Sequence, residues 1–294
     1  MATFGFALDL ARRASSPPAR PSLDAFAGTL YAAYGLSRLV SSYAGPGVRV
    51  RRSSDGTEAE LGFTFLGALD VAGLLAFAGT ASAFVVAWYD QSGSGRHATQ
   101  SVTASQPRLV NAGALDTGPN GRPALALSGS QNFGIAGAAD FVRGADSVTV
   151  GVVGQSSIVA GSAAFFTASK GVNLSWYRIG LVHTPTLNAA RFAASANDID
   201  NPPLAFRAYT TGAWGRFIGR ARFLEGGLDF ALDGATTTAA LGTATASVDS
   251  DSLVRIGISP NSGAPLTGQM STLVLSRAPL AIAALDAALQ GTLP

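Results

Sequence analysis

Alternation of apolar and polar positions dominates this chain, and its densest expression is the run AFVVAWY at residues 83–89. Val85, Val86, Trp88 and Tyr89 suit a pleated, half-buried strand, and the Asp-Gln-Ser-Gly-Ser-Gly run that follows demands a tight exit. Upstream, the spacing of Leu23, Phe26, Leu30 and Tyr34, with Leu36 and Leu39 beside them, predicts a helix over residues 23–39, capped by Ser22 and with Asp24 at its positive end. A hairpin follows, with strands at 48–52 and 57–65 joined by Ser53-Ser54-Asp55-Gly56, because Asp-Gly is a strong turn signal. A short helix over 69–77, capped by Asp70, leads into the 83–89 strand.

After Gln100 nearly everything reads as short strands between Gly, Pro, Asn and Asp. The expected strands are 108–110, 124–127, 147–153, 163–167, 174–181, 189–194, 204–210, 215–218, 228–232, 253–258 and 269–276, with a closing helix over 279–289. Phe230-Ala231-Leu232-Asp233-Gly234 looks like a strand and turn of a lectin-like sheet. So many strands at this spacing predict a two-sheet sandwich or jelly roll, with helices only in the amino-terminal third and at the carboxyl end. Residues 22–294 form one domain in this reading. Residues 1–21, in which Phe4, Phe6, Leu8 and Leu10 alternate before a Pro-rich stretch, are either a first strand or an arm that docks on another subunit.

Composition narrows the picture. With 47% hydrophobic and 13% charged residues, 35 Gly and 14 Pro, the 294-residue chain is globular and turn-rich. Its basic residues are 19 Arg and one Lys, but the net charge is only +2. The best basic cluster, Arg49, Arg51 and Arg52, alternates with Val48 and Val50 as a strand with one wet face does, so no nucleic-acid partner is expected. Without Cys there are no disulfides or thiolate metal sites. The opening MATFGFALDLARR lacks a basic start and carries Asp9, so it does not read as a signal peptide, and no apolar run of about 20 residues predicts membrane insertion.

Tyr89 to Gln100 (YDQSGSGRHATQ) resembles the Y-D-Q-S-G-N-G-x-H-x-T-Q segment of the α-L-arabinofuranosidase B catalytic-domain family, with Ser94 where that family has Asn. The resemblance extends over residues 43–52, 106–110 and 120–123. It implies a concanavalin-A-like jelly roll, and a loop (Asp90, Gln91, Ser92, Gly93, Gly95, His97) that belongs to the family pattern. It also implies a bacterial or bacteriophage setting. The family's nucleophile is a Glu shortly after an F-D-Y-G-N-type segment, and its acid/base is a later Asp. The nearest counterpart of the first here, Phe165 to Gly171, holds no carboxylate, and no acid occurs between Ser147 and Asn197. Asp198 or Asp200 could take the acid/base position. Retaining or inverting cleavage needs a pair of carboxyl groups, so one of them alone is insufficient. The three Glu (58, 60, 225), with Asp229 and Asp233, sit in contexts that suit structure.

Other chemistry is weakly signalled. His97 and His183 are the only histidines, too few for a zinc site and without a nucleophile elbow for a triad. His97 is expected to bond a loop carbonyl. Asp90 to Ser94 resembles oxygen-rich calcium turns, which mostly satisfy only their own backbone. Gly93-Ser94-Gly95 lacks the rest of a dinucleotide signature, so no cofactor is expected. Saccharide binding asks for an aromatic face beside hydrogen-bonding groups, and Trp176, Tyr177, Arg178, Tyr209, Trp214 and Arg216 offer them; Trp88 reads as core. The leading expectation is therefore a noncatalytic, lectin-like, multimeric component of a bacteriophage particle, assembled in the host cytoplasm, held to itself and to other virion proteins through the arm, and touching host glycan. The alternative is an arabinofuranosidase-like glycoside hydrolase.

Overall fold

The computed structural model describes residues 23–169, 178–196, 202–242, 244–247, 253–259 and 263–294. Its ladders are antiparallel and trace two runs. The first has the order Ala235–Ala240, Gly227–Leu232, Gly215–Arg222, Ser147–Ser156, Thr267–Ser276 and Leu30–Gly35. The second runs from Leu204–Ala208 through Ala189–Ala194, Ile179–Thr184, Ala163–Ser169, Leu253–Ile256, Phe133–Ile135, Ala98–Thr99, Ala83–Trp88 and Val48–Arg52 to Glu58–Leu61. Leu125–Ser128 stitches them together, pairing with the early half of Thr267–Ser276 on one side and with Arg108 on the other. The expected sandwich is therefore present, as a nearly closed one.

Inward positions of both runs meet in one core, where Phe165 packs on Phe217 with ring centroids 4.8 Å apart and Trp88 lies between Tyr34 (5.7 Å) and Phe133 (6.2 Å). Aromatic pairs at such spacings add about 0.5–1.5 kcal/mol each beyond the area that they bury. Behind the first sheet a second apolar layer forms under the closing helix Ile282–Gln290, in which Leu285 and Leu289 cover Val153, Ile218 and Val274. Gly151 keeps that packing close, since a Cβ would stand 3.1 Å from the Leu289 methyl, which would have to shift.

The helix expected over 23–39 is absent. A 3-10 turn, Asp24–Thr29, leads directly into the strand Leu30–Gly35. Partnership with Thr267–Ser276 outweighs the helical spacing: Ala32 and Tyr34 face the main core, and Ala33 faces the second layer, a period of two rather than 3.6. Asp24 accepts a hydrogen bond from the Ser41 amide (2.7 Å) instead of serving a long helix. The Asp70-capped helix does form, as Val71–Ala78, with the carboxylate accepting from Gly73 at 2.9 Å. The two-residue turn Asp233-Gly234 has φ of 50° and 81°, the left-handed pair that a tight hairpin needs, and returns the chain as Ala235–Ala240. The arm at 1–21 and the start of the strand expected over 174–181 lie outside the described residues.

Candidate functional site

The Asp90–His97 loop is a side-chain extension of the first sheet. The strand Leu30–Gly35 pairs with Thr267–Ser276 along one edge, and its other edge would leave backbone groups of Tyr31, Ala33 and Gly35 without ladder partners. The loop supplies those partners. Asp90 Oδ1 accepts from the Ala33 amide (2.8 Å), the Gln91 amide donates to the Ala33 carbonyl (2.7 Å), and Gln91 Nε2 donates to the carbonyls of Gly35 and Ser37 (3.1 Å each). Gln91 Oε1 accepts from the Leu39 amide (2.7 Å), and the Ser94 hydroxyl lies 2.8 Å from the Tyr31 carbonyl. Asp90 and Gln91 are each only 1% exposed. Gly93 and Gly95, with φ of 88° and 73°, turn the loop tightly enough for this.

The same geometry answers two expectations. Asp90 Oδ1 also accepts from the Ser92 amide (2.9 Å), while Oδ2 faces Ser92 Oγ, Ser94 Oγ and the Arg96 amide at 2.7–3.2 Å. Protons aimed at both oxygens stand where a calcium ion would have to sit, and among the described residues no cluster of three His, Asp or Glu gathers elsewhere. His97 bonds an amide rather than a carbonyl: its Nδ1 accepts from Asp90 N at 3.2 Å, and its ring packs edge-on to Tyr89 at 4.9 Å.

From this knot the loop reaches one wall of a cleft. The Arg96 guanidinium lies 3.9 Å over the Tyr31 ring and donates to the Gly137 carbonyl (3.2 Å). The Tyr31 hydroxyl donates to Asp140, which also pairs with Arg277 (3.5 Å). Burial would raise the Asp140 pKa, but that hydroxyl and the two guanidiniums outweigh it and hold the carboxyl below its usual range. The segment 136–140 is thus fixed against the loop. Between it and the outward faces of Ala98–Thr99, Phe133–Ile135 and Leu253–Ile256 opens a cleft of about 470 Å³, with Arg49 at one side and Thr99, Gln100 and Ser101 along its edge.

On that cleft, Arg255 crosses the strand pairing directly opposite Gly134. A Cβ at Gly134 would stand 3.0 Å from the guanidinium, so the glycine is what lets it lie flat. Among the described residues Arg255 makes no ion pair or side-chain hydrogen bond, whereas Arg49 is joined to Glu58 at 3.2 Å. Sequence reasoning did not single out Arg255 or Gly134; their signal was the outward place of each within L-V-R-I and F-G-I.

Of the six residues expected to bind saccharide, the four that are described do not line this cleft. Trp176 and Tyr177 lie outside the described residues. Arg178 is 2% exposed and its backbone joins Ala168 and Ser195. Tyr209 is buried at the far end of the sandwich, its hydroxyl donating to the Ala213 carbonyl (2.6 Å) and accepting from Ser156 N (3.0 Å), and burial pushes its pKa up to about 12. His183 packs edge-on against it at 4.8 Å. Trp214 is half-buried against the layer under the closing helix, and Arg216 holds Asp286 of that helix through two bonds of 2.9 and 3.1 Å, with Asp233 beside it.

The carboxylates of the described residues are similarly committed. Asp116 pairs with Arg108, Asp229 with Arg220 and Arg222, Asp55 with Arg52, and Glu225 with Arg222, while Glu60 accepts from the Tyr89 hydroxyl. Asp146 is exposed, and its side chain pairs with none of the described residues. Asp198 and Asp200 lie outside the described residues.

Residues 24–157 match the model of the family described as α-L-arabinofuranosidase B, catalytic. Among solved structures, an arabinofuranosidase complexed with arabinofuranosyl-α-1,2-xylobiose matches with a TM-score of 0.63 at 15% identity, covering 92% of this chain and 64% of that one. A GH54 α-L-arabinofuranosidase soaked with a cyclic sulfate inhibitor matches with a TM-score of 0.60 at the same identity and coverage. At 15% identity these likenesses bear on the fold, and the chain spans 64% of the length of either enzyme. No curated protein sequence matches. The likeness to the family of the α-L-arabinofuranosidase B catalytic domain thus covers residues 24–157, which carry the Asp90–His97 knot and most of the cleft.

Proposed function

We propose that the chain recognises arabinofuranosyl-bearing glycan at the cleft between residues 134–139 and 253–255, and that it does so without cleaving it. The observation that carries this reading is the brace from the family loop to the cleft wall, Arg96 to Gly137, which ends at an open polar surface where the Arg255 guanidinium pairs with none of the described residues. Thr99, Gln100, Ser101, Arg49 and Arg255 supply donors and acceptors for sugar hydroxyls, and Val86 and Ile135 supply apolar contact. Cleavage asks for two carboxyl groups about 5–9.5 Å apart with one held protonated, whereas the carboxylates of the described frame other than Asp146 are engaged by cations, amides or, for Glu60, the Tyr89 hydroxyl.

Hydrolysis is the second reading, and the family match favours it. Incubation with 4-nitrophenyl α-L-arabinofuranoside separates the two: turnover that Asp200→Asn or Asp198→Asn abolishes would overturn the noncatalytic proposal. Arabino-oligosaccharide titrated into the inactive chain should bind saturably, with Arg255→Ala weakening it at least tenfold; no binding would refute recognition at this cleft. Display on a bacteriophage particle through residues 1–21 belongs to the same proposal, and particles that incorporate the chain equally well without those residues would refute it.

A further inference from the structure

A second cavity shares no lining residue with the glycan-facing cleft. It occupies about 610 Å³ between Leu36–Arg38, the turn at Phe65–Ala68, Pro123 and the carboxyl-terminal residues 291–294. That is the size range of pockets that hold small organic ligands. Leu36, Leu69, Val71, Pro123 and Pro294 make its walls apolar, and Phe65 and Leu66 stand at its lip 89% and 66% exposed, unusual for side chains of their size.

The charged side chains that line it are those of Arg38 and Arg122, and no Asp or Glu side chain does. Arg122 is already used, donating to the Gly291 carbonyl at 3.1 Å. Arg38 is not: among the described residues its Nε has no acceptor, and the Phe63 ring lies 5.9 Å from its guanidinium. A half-buried guanidinium with no carboxylate side chain opposite it attracts an anion, and the apolar walls around it favour one whose remainder is apolar. The backbone holds the group in place, because the Arg38 amide donates to Gly67 at 2.7 Å across the turn that forms the lip.

We propose that this cavity binds a small amphipathic monocarboxylate, an aryl or alkyl acid whose carboxylate pairs with Arg38 and whose body lies between Leu36, Leu69 and the Phe65 lip. The site is independent of glycan recognition. The test titrates 4-phenylbutyrate and, separately, 4-phenyl-1-butanol into the full chain, with saturation-transfer NMR and calorimetry as readouts. The acid should bind at least tenfold more tightly than the alcohol, and raising the salt concentration should narrow that preference. Arg38→Met should bring acid and alcohol to equal affinity while leaving arabino-oligosaccharide binding at the other cleft unchanged. Absence of saturable acid binding, equal binding of the two probes to the unmodified chain, or an acid preference that survives Arg38→Met would each overturn the proposal. If Arg38→Met does not fold, the preference of the unmodified chain and its salt dependence decide alone, and an absent preference overturns it.

Discussion

Replacing Asp90 tests whether the family loop is a structural partner of the Leu30–Gly35 strand. In Asp90→Ala the Ala33 amide, on a residue with no exposure, loses its acceptor, and the amides of Ser92 and Arg96 lose theirs nearer the surface. An orphaned buried donor costs about 1–3 kcal/mol, and each bond to a charged acceptor contributes about 1.5–3 kcal/mol, part of which water restores at the exposed positions. The sum is about 3–5 kcal/mol, or roughly 6–10 °C in Tm for a chain of this size. Asp90→Asn keeps an acceptor toward Ala33 but turns an NH₂ toward the Arg96 amide, which cannot reverse its polarity; a loss of about 1–2 kcal/mol follows. Thermal and urea unfolding followed by circular dichroism measure the series, and hydrogen exchange at the Ala33 amide localises it. If Ala and Asn variants melt within 1 °C of each other, or Ala33 exchange is unchanged in Asp90→Ala, the loop does not hold this strand.

Three further outcomes follow from the same coordinates. A Cβ at Gly219 would overlap the Phe192 ring of the facing sheet, so Gly219→Ala should destabilise by about 1–3 kcal/mol in urea unfolding, and a neutral effect would refute the tight facing of the layers there. Gly134→Ala should displace the flexible Arg255 guanidinium, weakening arabino-oligosaccharide binding several-fold in calorimetry with Tm shifted by less than about 2 °C. Burial lowers the pKa of His183 below 6.5, so the unfolded chain takes up the proton first. Stability should therefore fall as pH drops from 6.5 toward that lower folded value, and His183→Gln should flatten this part of the Tm-against-pH curve; an equal slope in the variant would refute the assignment.

The sandwich was legible partly because some of its strands keep one face wet, as Val48 and Val50 do against Arg49 and Arg51, and partly because Gly, Pro, Asn and Asp punctuate the strands that are buried on both faces. The closing helix and the Asp70-capped helix were legible from local spacing and a cap. Leu30–Gly35 was not, because its side chains are buried on both faces and its helical-looking spacing is local, whereas its partner lies some 240 residues away at Thr267–Ser276. Phe133–Ile135 and Ala98–Thr99 are too short to show a period. The loop at 90–97 was recognisable as a family feature, yet its role was hidden for the same reason as the strand that it serves: Ala33, Tyr31 and Gly35 are distant in sequence. Tyr209 and Arg216 carried the residue types of a sugar site, and only tertiary contacts reveal that their polar atoms are already spent on Ala213, Ser156 and Asp286.

Ser94 gives the loop argument its most discriminating test. The Ser94 hydroxyl stands 2.7 Å from Asp90 Oδ2 and 2.8 Å from the Tyr31 carbonyl, but it carries one proton and serves one of them at a time. The family pattern has Asn here, and an amide NH₂ has two protons, one for each acceptor. If the loop exists to complete the edge of Leu30–Gly35, Ser94→Asn should stabilise the chain by about 0.5–1 kcal/mol, roughly 1–2 °C in Tm, and Ser94→Ala should destabilise it by a similar amount. A catalytic or sugar-binding role for position 94 would instead show as altered glycan affinity with Tm unmoved. An order of stability other than Asn above Ser above Ala would mean that the second proton meets no acceptor, and that the match between this loop and the strand edge is coincidental.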